Sequence, residues 1–220
     1  MLISSLLVAH IAVLGYWLGS EFVINSTFRY VTWSADLECA QRNRLMDHVM
    51  EVDQHVRYAL ILQLGLGFIL GSLYGFVPGG AVTAWVAFGS MIAWLIFVEF
   101  VHKLRVRPLG ARLAKIDRLL RYGLLVWLLG YGFLGLFSDT SLPTWLALKF
   151  VLFAGVISCG VGIRFALIHW YGIWTSIAHS GSTPENEQSL KRSYVRATSV
   201  LILLWVFIAA IVLTSIIKPV

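Results

Sequence analysis

The sequence predicts an all-α fold, a polytopic transmembrane bundle of six helices with both termini outside the cytoplasm. Three observations predict it. Of the 220 residues, 59% are apolar and only 13% charged, against about 25% charged in soluble domains. Six apolar stretches, about 2–24, 57–77, 81–102, 119–138, 142–164 and 194–217, have the length that carries a helix across a bilayer, roughly 20 residues. Fourteen of the seventeen Lys and Arg flank or fill the three long connections, and none lies in the two short ones. By the positive-inside rule the long connections are then cytoplasmic, and an even number of spans returns both termini to the outer side.

The first stretch, Leu2 to Ile24, has no basic leader and no small-residue cleavage site, so it reads as a retained helix. His10 and Glu21 interrupt it. They are eleven positions apart, about three helical turns, and project from one face. Gly15 and Gly19 lie between them at a spacing that admits a neighbouring helix. Ser34 is expected to cap the next helix, with Asp36 and Glu38 in its first turn. No Gly or Pro follows until Gly65, so that helix is expected to begin well before its apolar span. Gly67, Gly71 and Gly75 form a small-residue stripe along it, as Ala154, Ser158 and Gly162 do on the fifth.

Val77-Pro78-Gly79-Gly80 and Ser138-Asp139-Thr140-Ser141 read as tight turns between antiparallel neighbours. Arg107-Pro108-Leu109-Gly110 breaks the basic link that follows the third span. Thr183-Pro184-Glu185 is a helix start, cap then proline, for a helix running to about Ile217. No repeat or low-complexity linker appears, and residues 1–220 read as one domain.

Charge and motifs exclude several classes. The net charge of +6 comes from basic residues between apolar spans, where topology signals belong, so no nucleic-acid partner is expected. Cys39 and Cys159 imply no disulfide framework. No phosphate-binding glycine loop, HExxH, CxxC or CxxCH occurs, and no Ser/His/Asp constellation is suggested.

Polar groups inside the spans carry the functional signal, because an ionisable side chain in hydrocarbon is costly. Counted at 1.5 Å per residue, His10 lies about 12 Å and Lys149 about 10 Å below the outer surface. The bland reading of Lys149 is snorkelling to that surface, and of His10 a neutral ring bonded to a carbonyl. His55, His102 and His169 gather near the cytoplasmic ends of spans. Two such imidazoles from facing helices make a b-type haem site, with Arg57, Lys103 or Arg164 near its propionates. Each histidine alone reads rather as an interfacial group facing water, and Glu99 and His102 are spaced to pair with each other. His48, Glu51 and His55 form one stripe that a metal or a solvated face explains; no metal site is assigned to it. Trp33, Trp145 and Trp174 fall near span ends, where interfacial belts form. Trp17, Trp94, Trp127 and Trp205 lie deeper.

His10, Trp17-Leu18-Gly19 and Phe28-Arg29 together resemble the first helix of the HemJ-type protoporphyrinogen oxidases and the related CopD-like membrane proteins. Trp145-Leu146-Ala147-Leu148-Lys149-Phe150 is similar to the later HemJ helix that carries a lysine, and Ile216-Ile217-Lys218-Pro219 to the ending common there. The resemblance implies a functional pair in His10 and Lys149, a bound haem b, and electron delivery to quinone. HemJ proteins have fewer helices, and Arg196-Ala197-Thr198-Ser199 stands where their last helix opens with Asn-Glu-x-Pro.

The leading expectation is therefore an inner-membrane protein holding b-type haem or porphyrin, in electron transfer or porphyrin oxidation. His10 and Lys149 would be catalytic, and both would bind the cofactor together with His55, His102, His169 and Arg164. Two other classes stand beside it. One is a non-catalytic accessory or anchor subunit of a larger complex or homo-oligomer. The other is a small-solute or metal-ion transporter using Glu21, Gln63 and Glu99.

Overall fold

The computed structural model describes residues 1–138 and 142–218, apart from the side chain of Ser180. Six helices follow in order: α1 Leu2–Trp33, α2 Cys39–Leu73, α3 Gly80–Lys103, α4 Pro108–Phe137, α5 Thr144–Ser180 and α6 Pro184–Ile217. All six are long and apolar enough to cross a membrane, and no strand is present among the described residues. The chain is a multi-pass membrane protein in the all-helical class that its composition predicts. Asp139, Thr140 and Ser141 of the second expected turn lie outside the described residues, as does Pro219.

Most helices outrun their apolar spans at one end, because polar residues with good helix propensity continue the hydrogen-bonded ladder past the hydrocarbon. α5 goes on from residue 164 to Ser180, and α6 opens ten residues ahead of its span. That opening follows its local chemistry. Thr183 is the N-cap, its side chain accepts from the Asn186 N–H, Pro184 takes the first position, and Glu185 and Glu187 sit in the positive first turn.

Two boundaries differ from expectation. Ser34 closes α1 by donating its N–H to the Tyr30 carbonyl at 3.0 Å, and α2 opens five residues later at Cys39, so Asp36 and Glu38 lie ahead of the helix. α2 also stops at Leu73, where Gly75 at φ +78° lets the Phe76 and Val77 N–H groups fold back onto the Gly71 carbonyl. Gly110, in the first turn of α4, is required where the chain doubles back after α3: a Cβ there would sit 1.9 Å from the Leu104 carbonyl oxygen.

The helices are shared between two compact units. The first comprises residues 1–23 and 51–124. Its core joins Ile61, Leu66 and Ile69 of α2 to Ala84, Met91 and Val98 of α3, with Leu6, Ala9 and Val13 of α1 packed against them. Packing rather than hydrophobic exclusion drives helix association in lipid, so small residues mark close approaches. Between α2 and α3 one such approach is at Gly65, whose Cβ would fall 2.5 Å from the Met91 sulfur. Gly67 borders the His10 ring, whereas no atom lies within 4 Å of a Cβ at Gly15 or Gly19. The expected helix approach at that pair is not made.

The second unit comprises residues 24–50 and 125–220. Its core gathers Phe28 and Val31 of α1, Met46 and Val49 of α2, Trp170, Trp174 and Ile177 of α5, and Leu190, Tyr194 and Ala197 of α6. Trp174, expected at the interface, is buried there and stacks on Trp170. α5 packs on α6 where a Cβ at Gly155 would meet Phe207 and one at Gly162 would meet Val200.

Candidate functional site

Side chains with chemistry gather in the first unit, where α1, α2 and α3 meet. α1 and α2 run antiparallel there, and two cross-links fix their register. Nearer the start of α1, Gln63 Nε2 lies 3.1 Å from His10 Nε2. Further along, the Tyr16 hydroxyl shares a hydrogen bond with His55 Nδ1, and the two rings meet edge to face. The six residues from His10 to Tyr16 separate these contacts by about 9 Å of helix rise.

From His55 the polar line continues into α3. The His55 ring meets Tyr58 at 6.1 Å, one turn along α2, and the Tyr58 hydroxyl donates to Glu99 Oε2. Lys103, one turn on, brings its ammonium within 3.0 Å of Glu99 Oε1. Gln54 adds a tie by donating to the Val98 carbonyl at 3.3 Å. Carboxylate, phenol, imidazole and phenol thus follow one another across three helices. Each is a proton donor or acceptor, and imidazole changes charge nearest neutral pH.

Where the N-terminal half of α2 meets the end of α3, Glu51 accepts from Arg105 at 2.9 Å and lies 3.2 Å from His102 Nε2. The Arg105 hydrogen bond holds its carboxyl below the usual carboxylate range. The expected Glu99–His102 pair is not formed. Lys103 and Tyr58 take Glu99, and Glu51 takes His102, because the i,i+4 spacing brings a long ammonium over the carboxylate. Arg57 and Lys103, expected near propionates, are paired with Asp53 and Glu99. Among the described residues no group of three or more His, Cys, Asp or Glu is placed to hold a metal ion. Of the His48, Glu51, His55 stripe, Glu51 is taken by Arg105 and His102, and His55 by Tyr16.

Glu21 is buried on α1 and accepts from Trp17 Nε1 at 3.3 Å. Asp117 of α4 is also buried, accepting from Trp94 Nε1 at 3.1 Å and from Arg121 Nε at 3.0 Å.

The remaining expected site residues belong to the second unit. Lys149 is half-buried, with its ammonium 5.5 Å from the centre of the Trp145 ring. Arg164 and His169 are both exposed on α5.

A two-imidazole haem requires a ligating nitrogen on each side of the macrocycle. In the first unit, His102 turns Nε2 to Glu51 and His10 turns Nε2 to Gln63. His55 presents Nδ1 to Tyr16, the arrangement in which a partner orients a ligating imidazole.

Sequence reading missed Tyr16 and Tyr58, the two phenols that join the other groups. Tyr58, three residues from His55, lies close to the face already marked as polar, whereas Tyr16 lies about 140° around α1 from Glu21, so periodicity gives a signal for Tyr58 alone. Comparison with models of protein families, with curated proteins and with solved structures finds no match to this chain.

Proposed function

We propose that this multi-pass membrane protein moves protons through its first unit, as the proton path of a small-solute or ion transporter of the inner membrane. The observation that carries this reading is the line Glu99–Tyr58–His55–Tyr16 across three helices, hydrogen-bonded at Glu99–Tyr58 and His55–Tyr16 and joined between them by an edge-on contact of the Tyr58 and His55 rings. Chains of acid and imidazole groups inside membranes serve as proton relays. His10 on Gln63 adds a second polar contact between α1 and α2 toward the outer half, which has no carboxylates of its own. Glu51, His102 and Arg105 stand at the end that the positive-inside rule assigns to the cytoplasm, where protons would enter or leave. Glu21, Gln63 and Glu99, the path residues expected for a transporter, all lie in this unit.

Liposomes holding the purified protein and an internal pH dye test this reading. Under an imposed potential they should acidify or alkalinise faster than empty ones. His55→Phe and Glu99→Gln should each cut that rate by about a hundredfold, the low end of what one proton-transfer group contributes. Wild-type flux no greater than that of empty liposomes defeats the proposal, as does full flux in His55→Phe. An absorption spectrum of the same preparation separates the alternative. A Soret band with b-type difference features would favour haem or porphyrin chemistry, with His10 and Lys149 as its residues.

A further inference from the structure

Trp145, in the first turn of α5, carries two cations. Lys149 Nζ lies 5.5 Å from its ring centre and Lys218 Nζ 5.7 Å. Lys149 comes from the next turn of α5, and Lys218 from the residue just past α6. Lys218 is the one non-glycine among the described residues with positive φ, at +47°, and its N–H closes α6 on the Thr214 carbonyl at 3.0 Å. A lysine in that conformation is strained, and such strain persists where the surroundings hold it. Two like charges brought to one indole repel, and among the described residues neither is ion-paired with a carboxylate. Cation–π attraction to Trp145 offsets part of that repulsion. An anion offsets more.

We propose that Lys149, Lys218 and Trp145 bind the phosphate of an anionic membrane lipid. The chemistry fits that ligand in three ways. Paired ammoniums match a phosphate as point charges. Tryptophan at a span end sits at headgroup level. The acyl chains would lie along α5 and α6, where Ile216 and Ile217 are exposed. The site belongs to the second unit and is independent of the proton line in the first.

Native mass spectrometry of the full chain, released from detergent with phosphatidylglycerol added, tests this assignment. The wild type should retain one lipid in preference to phosphatidylcholine. Lys149→Met and Lys218→Met should each weaken retention about fivefold, the factor expected for one basic residue at an anionic surface. Lys149→Arg should retain it. Thermal midpoints measured without added lipid identify any variant that fails to fold, and Lys218→Met, beyond the last helix, is the variant least exposed to that failure. Unchanged retention in the double Met variant overturns the site. Displacement of the lipid by millimolar inorganic phosphate overturns the lipid assignment.

Discussion

Arg42 and Glu187 make the strongest structural prediction, because both are buried and each satisfies the other. Arg42 is 1% exposed and Glu187 7%. The guanidinium donates to both carboxylate oxygens, at 2.8 and 3.2 Å, and through Nε to the Val31 carbonyl at 3.0 Å. It lies 4.5 Å over the Trp174 ring, and Ser182 completes the carboxylate at 2.9 Å. Breaking a buried pair by removing one partner costs about 3–5 kcal/mol, since the other charge is left without compensation. Glu187→Leu and Arg42→Met should each lower stability by that amount at pH 7, roughly 6–20 °C in thermal midpoint at 2–4 °C per kcal/mol. The double variant should be more stable than either single, short of wild type by about 1 kcal/mol for the lost Val31 hydrogen bond.

The pH dependence of the pair has a definite sign. Glu187 lies ahead of the apolar span of α6. Burial pushes its carboxyl up, but the hydrogen bonds from Arg42 and Ser182 outweigh burial and hold it below the usual range. A depressed folded value means stability present above about pH 4.3, the unfolded value, and lost as pH falls through the folded one. In Arg42→Met burial is no longer outweighed, so the folded value rises. The variant's deficit should then shrink as pH drops from 7 toward 4. Thermal unfolding followed by tryptophan emission reads both effects. Additive single effects, or a deficit that grows toward pH 4, would refute the account.

Two further outcomes follow from the fold. Gly65→Ala presses on Met91 and should cost about 1–3 kcal/mol, part of it recovered by Met91→Ala, which removes the sulfur and Cγ contacts but keeps Cβ at 2.8 Å; Gly110→Ala presses on the Leu104 backbone oxygen and should lose folded protein outright, with size-exclusion yield as the measure. Equal effects at the two glycines would sink this distinction. A reporter fused after Val220 should be active outside the cytoplasm and one inserted near Gly110 inside it, and a cytoplasmic C-terminus would reverse the orientation proposed from the basic loops.

Helix number and type were legible because hydrocarbon leaves a backbone few ways to satisfy itself, and six long apolar runs admit one reading. Boundaries were legible where their chemistry is local. Thr183-Pro184 caps α6 because hydroxyl and proline act within one turn. Ser34 has the same residue type but stands at the close of α1, where its backbone continues the preceding ladder. Nothing within a few residues of Ser34 distinguishes the two cases. Arg42 and Glu187 are 145 positions apart, and no periodicity connects them.

The polar face of α1 shows where sequence reading stops and why. A period of 3.6 puts His10 and Glu21 on one side, and the structure turns both inward, His10 to Gln63 and Glu21 to a buried position beside Trp17. Periodicity says which way a side chain points along its own helix. It does not say which helix comes to meet it. Partner choice depends on register between helices, and a shift of one turn in α2 would move Gln63 away from His10 and His55 away from Tyr16 together. Both contacts therefore report one quantity, the α1–α2 register. That register is in turn held by the apolar layer of Leu6, Ala9 and Val13 against the α2–α3 core. The polar line is a consequence of how apolar residues pack, so reading it required the packing first.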